Sequence, residues 1–103
     1  MNIEWDPAKN VKNIRKHGVN FEQASIVLKD PLRLVVYDEA HSLLNEDRYI
    51  VLGNAEGRFL FVSITLVDEE TIRIISARRG NKNEMEAYSE NCSLFFGKST
   101  QAH

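Results

Sequence analysis

The chain has 103 residues, with 13 lysines and arginines against 15 aspartates and glutamates, which gives a formal net charge of −2 at pH 7. This length suits one domain with one hydrophobic core, and the net charge alone argues against a nucleic-acid-binding protein. The single cysteine, Cys92, excludes an intramolecular disulfide and a cysteine-rich zinc site.

The N-terminal residues and the hydropathy of the chain bear on its location. The first residues lack the apolar core of a secretion signal, and no run of ~18 apolar residues is present. Together with the lone cysteine, these features predict a cytoplasmic protein that has no membrane-spanning segment.

The charged residues are unevenly distributed along the chain. Residues 1–20 carry four basic and two acidic side chains, residues 21–70 carry four and ten, and residues 71–103 carry five and three. If the two basic ends meet in the fold, they form a basic patch on an acidic body. The alternative is that these charges only keep the protein soluble.

A short strand and a helix are predicted at the N-terminus. Residues 2–5 alternate in polarity as a strand does. Asp6 is a favourable N-cap, Pro7 suits the first helical position, and Gly18 suits a left-handed exit, so the helix is predicted to end at His17.

The predicted first helix has two distinct stripes. Ala8, Val11 and Ile14 form an apolar stripe that we expect to face the core. The neighbouring stripe is basic and is either a solvated face or a track for phosphates; it consists of Lys9, Lys12 and Lys16.

The rest of the chain is predicted to form a helix, four strands and a final helix. Asn20 and Gln23 form a capping box for a second helix that ends before Asp30 and Pro31. A second capping-box pair, Asn81 and Glu84, predicts a third helix. The strands are expected at about 32–37, 48–52, 58–66 and 71–79.

This order of elements predicts an α+β fold in which two N-terminal helices and a C-terminal helix pack on one face of a four- to five-stranded antiparallel sheet. Residues 1–91 are expected to form the domain, and residues 92–103 a C-terminal tail.

The predicted last strand carries three arginines, which is unusual for a strand. Arginine binds phosphate and carboxylate through a planar fork of donors, so this strand is predicted to meet an anion. Strict alternation places Arg73 and Arg79 on one face, with Ile75 and Ala77, and Arg78 on the other.

The sequence offers no set of metal ligands and no glycine-rich phosphate loop, so we expect neither a metal nor a cofactor. Metal-free cleavage of RNA needs a base for the 2′-hydroxyl, an acid for the leaving 5′-oxygen, and cations for the phosphorus oxygens. The candidates for these roles are Lys16, His17, Arg48, Arg73, Arg78, Arg79, Glu84 and Tyr88, and the candidates for RNA binding are Lys9, Lys12 and Lys16.

Several of these candidates also have a purely structural interpretation. His17 is favoured at a helix C-terminus by the helix dipole, and Arg48 can pair with Glu46 or Asp47. Glu84 can serve only as a capping residue, and Tyr88 can belong to the core. Which residue is base and which is acid stays open.

Spaced motifs at both ends of the chain resemble the BrnT family. They comprise Glu4-Trp5-Asp6-Pro7-Ala8-Lys9, Asn13, Lys16-His17-Gly18-Val19, Phe21-Glu22-Gln23-Ala24, Asp30-Pro31, His41-Ser42, Glu46-Asp47-Arg48, Gly53, Ile72-Arg73-Ile74-Ile75-Ser76-Ala77-Arg78-Arg79, Glu84 and Tyr88.

The resemblance implies a RelE-like ribonuclease toxin of a type II toxin–antitoxin system, which arrests growth by degrading RNA. It also implies a cognate antitoxin with a ribbon-helix-helix DNA-binding region, so that DNA is contacted only through the toxin–antitoxin complex. A toxin dimer and a heterotetramer with the antitoxin are both open.

The sequence departs from the family pattern at two places. Gly80 stands where the family usually has a small residue such as alanine, and is expected to loosen the strand-to-helix junction. The tail 91–103 matches nothing in the family, and a tail lying across the basic patch would weaken activity.

Two alternatives to a ribonuclease stay open. One is a binding module that uses the basic patch on RNA or protein without cleavage. The other is that the acidic middle segment is the functional surface.

Overall fold

A computed structural model describes the backbone of residues 1–101 and the side chains of residues 1–92. Three helices and five strands follow one another along the chain as β1 (Asn2–Glu4), α1 (Pro7–His17), α2 (Phe21–Val27), β2 (Leu34–Tyr37), β3 (Arg48–Ala55), β4 (Arg58–Leu66), β5 (Thr71–Arg79) and α3 (Lys82–Gln101). In this part of the chain, no helix is long and apolar enough to cross a membrane.

The strands form one mixed sheet in the order β1-β5-β4-β3-β2. The α+β class is confirmed, but the prediction of a fully antiparallel sheet is wrong, because β1 pairs with β5 in parallel while the other pairs are antiparallel. Hairpin turns are visible in a sequence, whereas the long-range partner of β1 is not.

The helix boundaries follow from capping groups that the sequence displays. Asp6 accepts a hydrogen bond from the Ala8 amide at 2.9 Å, and Gly18 adopts φ 69° while its amide bonds to Ile14. Both bonds of the box between Asn20 and Gln23 are present. The predicted limits of α1 and the predicted starts of α2 and α3 are therefore confirmed.

The strand predictions differ from the structure mainly at β3. The strand continues to Ala55, and only Glu56 and Gly57 turn the chain, with φ values of 51° and 82°. Two consecutive positive φ angles are typical of a tight two-residue hairpin whose twist matches its strands.

The core lies on both faces of the sheet, so the prediction that all helices pack on one face is wrong. Phe21 and Val27 of α2 pack against a cluster that includes Leu60, and Tyr88 of α3 packs with Phe59 in a separate cluster. Consecutive strand residues point to opposite faces, so these two helices cover opposite sides. β4 is apolar on both faces near its start, which requires this second cover.

The predicted apolar stripe of α1 does not face the core. Val11 and Ile14 are 49% and 44% exposed and Ala8 is also exposed, whereas Asn13 is 6% exposed. The reason is the place of α1 beside the edge of β5, where unpaired backbone groups need a polar partner. The sequence pattern cannot show that a helix packs on a strand edge.

Helix α3 extends beyond the predicted domain limit at residue 91, and its backbone is helical to Gln101. The side chains from residue 93 onward lie outside the described residues. The expectation that a tail across the basic patch would weaken activity falls on these residues.

Candidate active site

A β-bulge in β5 decides which arginines share a face. Ser63 pairs with Ser76 and Ile64 pairs with Ile74, so Ile75 is an extra residue that shifts the alternation. Ile74 and Ala77 are both 1% exposed in the α2 core. We call the opposite side of β3, β4 and β5 the open face; among the described residues, α3 covers it around Leu52 and Phe59.

The bulge corrects the predicted grouping of the arginines. Arg73 pairs with Thr65, and Arg78 pairs with Phe61. Thr65 and Phe61 each lie two residues from Ser63 on β4, so their side chains and those of the two arginines point to the same side, which is the open face. Arg79 belongs to the other face, because it pairs with fully buried Leu60. Strict alternation predicts the wrong faces for the arginines because Ile75 is an inserted residue that shifts the alternation.

A cleft of about 190 Å³ lies between α1 and β5. Ile75 and Ser76 form its β5 side, and its α1 side is formed by Lys9, Lys12, Asn13, Lys16 and His17. The structure therefore places the basic first helix against the last strand, which is the arrangement that a basic patch from the two ends of the chain requires.

Asn13 positions this basic wall. Its Nδ2 donates to the carbonyls of Val19 at 2.8 Å and Ala77 at 2.7 Å, and its Oδ1 accepts from the Ala77 amide at 3.1 Å. The side chain thus replaces a neighbouring strand on the β5 edge, which β1 leaves unpaired beyond Arg73. All three bonds are buried, so α1 is fixed against the sheet.

A second cleft of about 220 Å³ shares Ile75 and Ser76 with the first. Its other lining residues are Asp38, His41, Arg48, Ile50, Phe61 and Ser63. The shared residues make the two clefts parts of one surface, with basic helix residues on one side and the loop 38–47 on the other.

His41 lines this second cleft but is absent from the site residues that the sequence predicts. Its Nδ1 lies 3.0 and 3.1 Å from the two carboxylate oxygens of Asp38, and its side chain is 70% exposed. This contact directs Nε2 away from the carboxylate. Asp38 precedes His41 by three residues, and an aspartate in a turn can bind residues that follow it closely in the chain. This spacing is the sequence feature that could have indicated the pair.

The loop that carries His41 is held by hydrogen bonds to the start of β3. The Ser42 hydroxyl donates to the Asp38 carbonyl at 2.7 Å and accepts from the Arg48 amide at 2.9 Å. Arg48 itself binds Glu46 through Nε and Nη2 at 3.2 and 3.1 Å. The structural interpretation of Arg48 as a partner of Glu46 is therefore confirmed, although Arg48 also lines the cleft.

Arg78 is the most firmly held cation of the open face. It binds Glu84 through two hydrogen bonds of 2.8 and 2.7 Å, and its guanidinium carbon lies 3.8 Å from the centre of the Phe61 ring. The hydrogen bond from Arg78 lowers the pKa of Glu84, and the same bond raises the pKa of Arg78.

Glu84 consequently stays ionised at neutral pH. It also accepts from the Asn81 amide at 2.8 Å and completes the predicted capping box. An ionised carboxylate with these bonds holds Arg78 and caps α3, and it is a poor proton donor.

The third cation of the open face, Arg73, pairs with Glu4 of β1 through Nε at 2.8 Å and Nη2 at 2.6 Å. Together with Arg48 and Arg78, every arginine of the open face is thus matched with a glutamate. Among the described residues no ion pair involves Lys9, Lys12 or Lys16. The lysine row therefore supplies the uncompensated positive charge of this surface.

Arg79 and Tyr88 lie away from the open-face clefts. Arg79 lines a separate hollow with Gly57, Arg58 and Met85. Tyr88 is 6% exposed, donates to Asp30 at 2.8 Å and accepts from the Asn54 amide group at 3.2 Å. Burial, and then the bond to Asp30, raise the pKa of Tyr88, which suits a structural phenol rather than a proton donor near neutral pH.

Gly80 tightens the junction between β5 and α3, contrary to the expectation that it loosens it. A Cβ at this position would overlap the ring of Phe59, and the Gly80 amide donates to the Phe59 carbonyl at 3.0 Å. The absence of a side chain allows this close approach.

Comparisons with protein families and with solved structures give matches. A family model described as "Ribonuclease toxin, BrnT, of type II toxin-antitoxin system" matches residues 5–84. No curated protein sequence matches the chain. A similar solved structure is that of the Brucella abortus ribonuclease toxin BrnT, with a TM-score of 0.63 and 28% identity over 80% of this chain and 99% of that chain.

Proposed function

The chain belongs to the BrnT family of ribonuclease toxins of type II toxin–antitoxin systems, and from this premise we propose that it cleaves RNA on the open face without a metal ion. The observation that carries the proposal is the shared floor of the two clefts. Ile75 and Ser76 bring His17 and the lysine row close to His41 and Asp38 on one surface.

The RNA backbone is proposed to lie along the lysine row. Lys9, Lys12 and Lys16 recur every three or four residues, which spaces them about 4.5 and 6 Å apart along the helix axis. Flexible ammonium groups bind successive phosphates without reading sequence, and they place one phosphodiester over Ser76.

Proton transfer is proposed to use the two histidines on opposite sides of that phosphodiester. His41, held through Nδ1 by Asp38, presents Nε2 as the base that removes the 2′-hydroxyl proton. The 2′-oxygen attacks phosphorus, the bond to the 5′-oxygen breaks, and His17 or Lys16 gives that oxygen a proton. The products are a 2′,3′-cyclic phosphate and a free 5′-hydroxyl.

The arginines are proposed to stabilise the charge that develops on the phosphorus oxygens. Arg78 lies two residues beyond Ser76, or roughly 7 Å along the strand. Its bonds to Glu84 and to the Arg79 carbonyl leave Nε and one N–H of Nη2 for an incoming oxygen. A cation fixed before the substrate arrives needs no reorganisation during the reaction. Arg73 and Arg48 extend the same positive edge.

The biological consequence follows from the family premise. We propose a RelE-like, cytoplasmic toxin that arrests growth by degrading RNA and is silenced by a cognate antitoxin with a ribbon-helix-helix region. The antitoxin would cover the lysine row with acidic side chains and keep RNA away from the open face.

The test is cleavage of an RNA oligonucleotide by the purified full chain in the presence of EDTA, compared with the same oligonucleotide carrying one 2′-deoxy residue at the cleavage position. We expect cleavage of the first, none at the modified position, and a cyclic phosphate end. His41→Gln is expected to lose about 100-fold or more in rate, the usual contribution of one acid–base group.

Arg79→Ala is the matched control, because it removes a strand cation from the opposite face. Cleavage that stops with EDTA and returns with Mg²⁺ would refute the metal-free mechanism. RNA binding without any cleavage would instead identify the non-catalytic binding module. Full activity in His41→Gln would remove this residue from the mechanism.

A further inference from the structure

In the part of the chain that the structure describes, no strand pairs with the outer edge of β2. β2 has a single neighbour, β3, whereas the opposite edge is occupied by the short β1 and by Asn13 of α1. The strand Leu34–Tyr37 contains no charged residue and no proline, and Val35, Val36 and Tyr37 are 52%, 45% and 50% exposed. Soluble proteins usually protect such an edge with charge, proline or a cover.

The backbone groups that point outward from β2 can be identified from its pairing with β3. The Asp38 amide donates to the Arg48 carbonyl at 2.8 Å, so the alternate residues Val36 and Leu34 also direct their backbone groups to β3. Val35 and Tyr37 therefore direct their N–H and C=O groups away from the sheet.

We propose that two copies of this chain pair through β2 as antiparallel strands around a two-fold axis at Val36. Such an axis is perpendicular to the sheet, because only then do both strands run antiparallel with like faces on the same side. Val35 of the first copy then lies opposite Tyr37 of the second copy, and Tyr37 of the first copy lies opposite Val35 of the second. Each pair exchanges two hydrogen bonds, which gives four bonds in total.

Charge complementarity selects this register. The axis at Val36 brings Arg33 next to Glu39 of the second copy, twice by symmetry, and both residues are exposed in the single chain. The neighbouring register, with its axis at Val35, would place Arg33 opposite Tyr37 and leave both charges unmatched. The strand and its flanking residues are thus complementary to themselves, as a two-fold interface requires.

Apolar side chains next to the edge fit the same partner. A groove of about 200 Å³ on the α2 side is lined by Val35 and by exposed Met1 and Leu66, which are 69% and 50% exposed. The aromatic ring of Tyr37 from the second copy would lie beside this groove through its pair with Val35. The dimer would be one ten-stranded sheet with both open faces on the same side.

The test is the molar mass of the full chain over a concentration series, measured by sedimentation velocity or by light scattering after gel filtration. We expect the mass to rise from one chain to two. Val36→Lys places two lysines opposite each other at the axis, so its dissociation constant should rise on the order of tenfold or more. The control is Val67→Lys, a residue with the same 45% exposure in the turn before β5.

Charge exchange tests the register. Arg33→Glu and Glu39→Arg should each weaken the dimer, and the double variant should restore it, with circular dichroism confirming that every variant is folded. A wild-type chain that stays monomeric throughout the series would overturn the proposal. Loss of antitoxin binding in Val36→Lys, together with a monomeric wild type, would assign the edge to an antitoxin strand. RNA cleavage is a separate measurement, so either proposal can fail alone.

Discussion

Replacing Asn13 should be the most destabilising single change in α1, because this side chain makes three buried hydrogen bonds. Asn13→Ala leaves the Val19 carbonyl and both backbone groups of Ala77 without partners. Each buried polar group that loses its partner costs about 1–3 kcal/mol. Water can enter some of the vacated space and bind some of these groups, so the total lies near the lower end of the sum. We therefore expect a loss of ~3 kcal/mol in the free energy of unfolding.

Asn13→Asp should be worse at neutral pH. It replaces the two N–H donors by a charged oxygen that faces two carbonyl oxygens, so repulsion adds to the lost bonds. The control is Asn10→Ala on the same helix, which loses the single bond from the Phe21 amide at 2.9 Å and should cost about 1 kcal/mol.

Urea unfolding followed by the fluorescence of Trp5 provides the assay, because this single tryptophan packs edge-on against Phe21 at 6.2 Å. A loss of ~3 kcal/mol corresponds to roughly 12–24 °C in Tm for a domain of this size. Equal losses for Asn13→Ala and Asn10→Ala would refute the account of Asn13 as a substitute strand. An Asn13→Asp variant as stable as wild type would refute it more directly.

Other changes test the site and its supports. Arg78→Ala should lower the cleavage rate about 100-fold while Arg79→Ala changes it less than about twofold, and similar losses in both would contradict the division of the faces. Glu84→Gln should be less stable than wild type above about pH 4.5. This difference in stability should vanish as the pH falls through the lowered pKa of Glu84, because protonation of the wild-type carboxylate removes the same interaction. A difference that persists at pH 2 would contradict this account. Tyr88→Phe should cost about 1–2 kcal/mol of stability with an unchanged rate per folded molecule, because it removes the hydrogen bond from Tyr88 to Asp30 and the acceptor of the Asn54 amide group. Antitoxin association should slow markedly between low and high salt, and the complex should not cut RNA; full cleavage by the complex would place the inhibitory surface elsewhere.

The helix termini and the hairpins could be read from the sequence because they depend on neighbouring residues. Asp6, Gly18, Asn20 and Asn81 act on backbone groups within four positions along the chain. The family was also accessible from the sequence, because its motifs are spaced along the chain in a fixed order.

Long-range contacts decided the rest. The bulge at Ile75 depends on how β5 meets β4, and it places Arg73 and Arg78 on one face and Arg79 on the other. No local signal marks an inserted residue in a strand of this composition, so strict alternation failed there.

The position of α1 shows the same physical reason most clearly. Its sequence displays an apolar stripe, yet Asn13 faces the sheet. The reason is that the unpaired backbone groups on the edge of β5 are stabilised by hydrogen bonds and not by apolar contacts. That exchange turned the lysine row toward Ser76 and completed the basic wall of the cleft. A sequence fixes which groups a residue can offer, and only the folded chain fixes which unpaired groups those residues will meet.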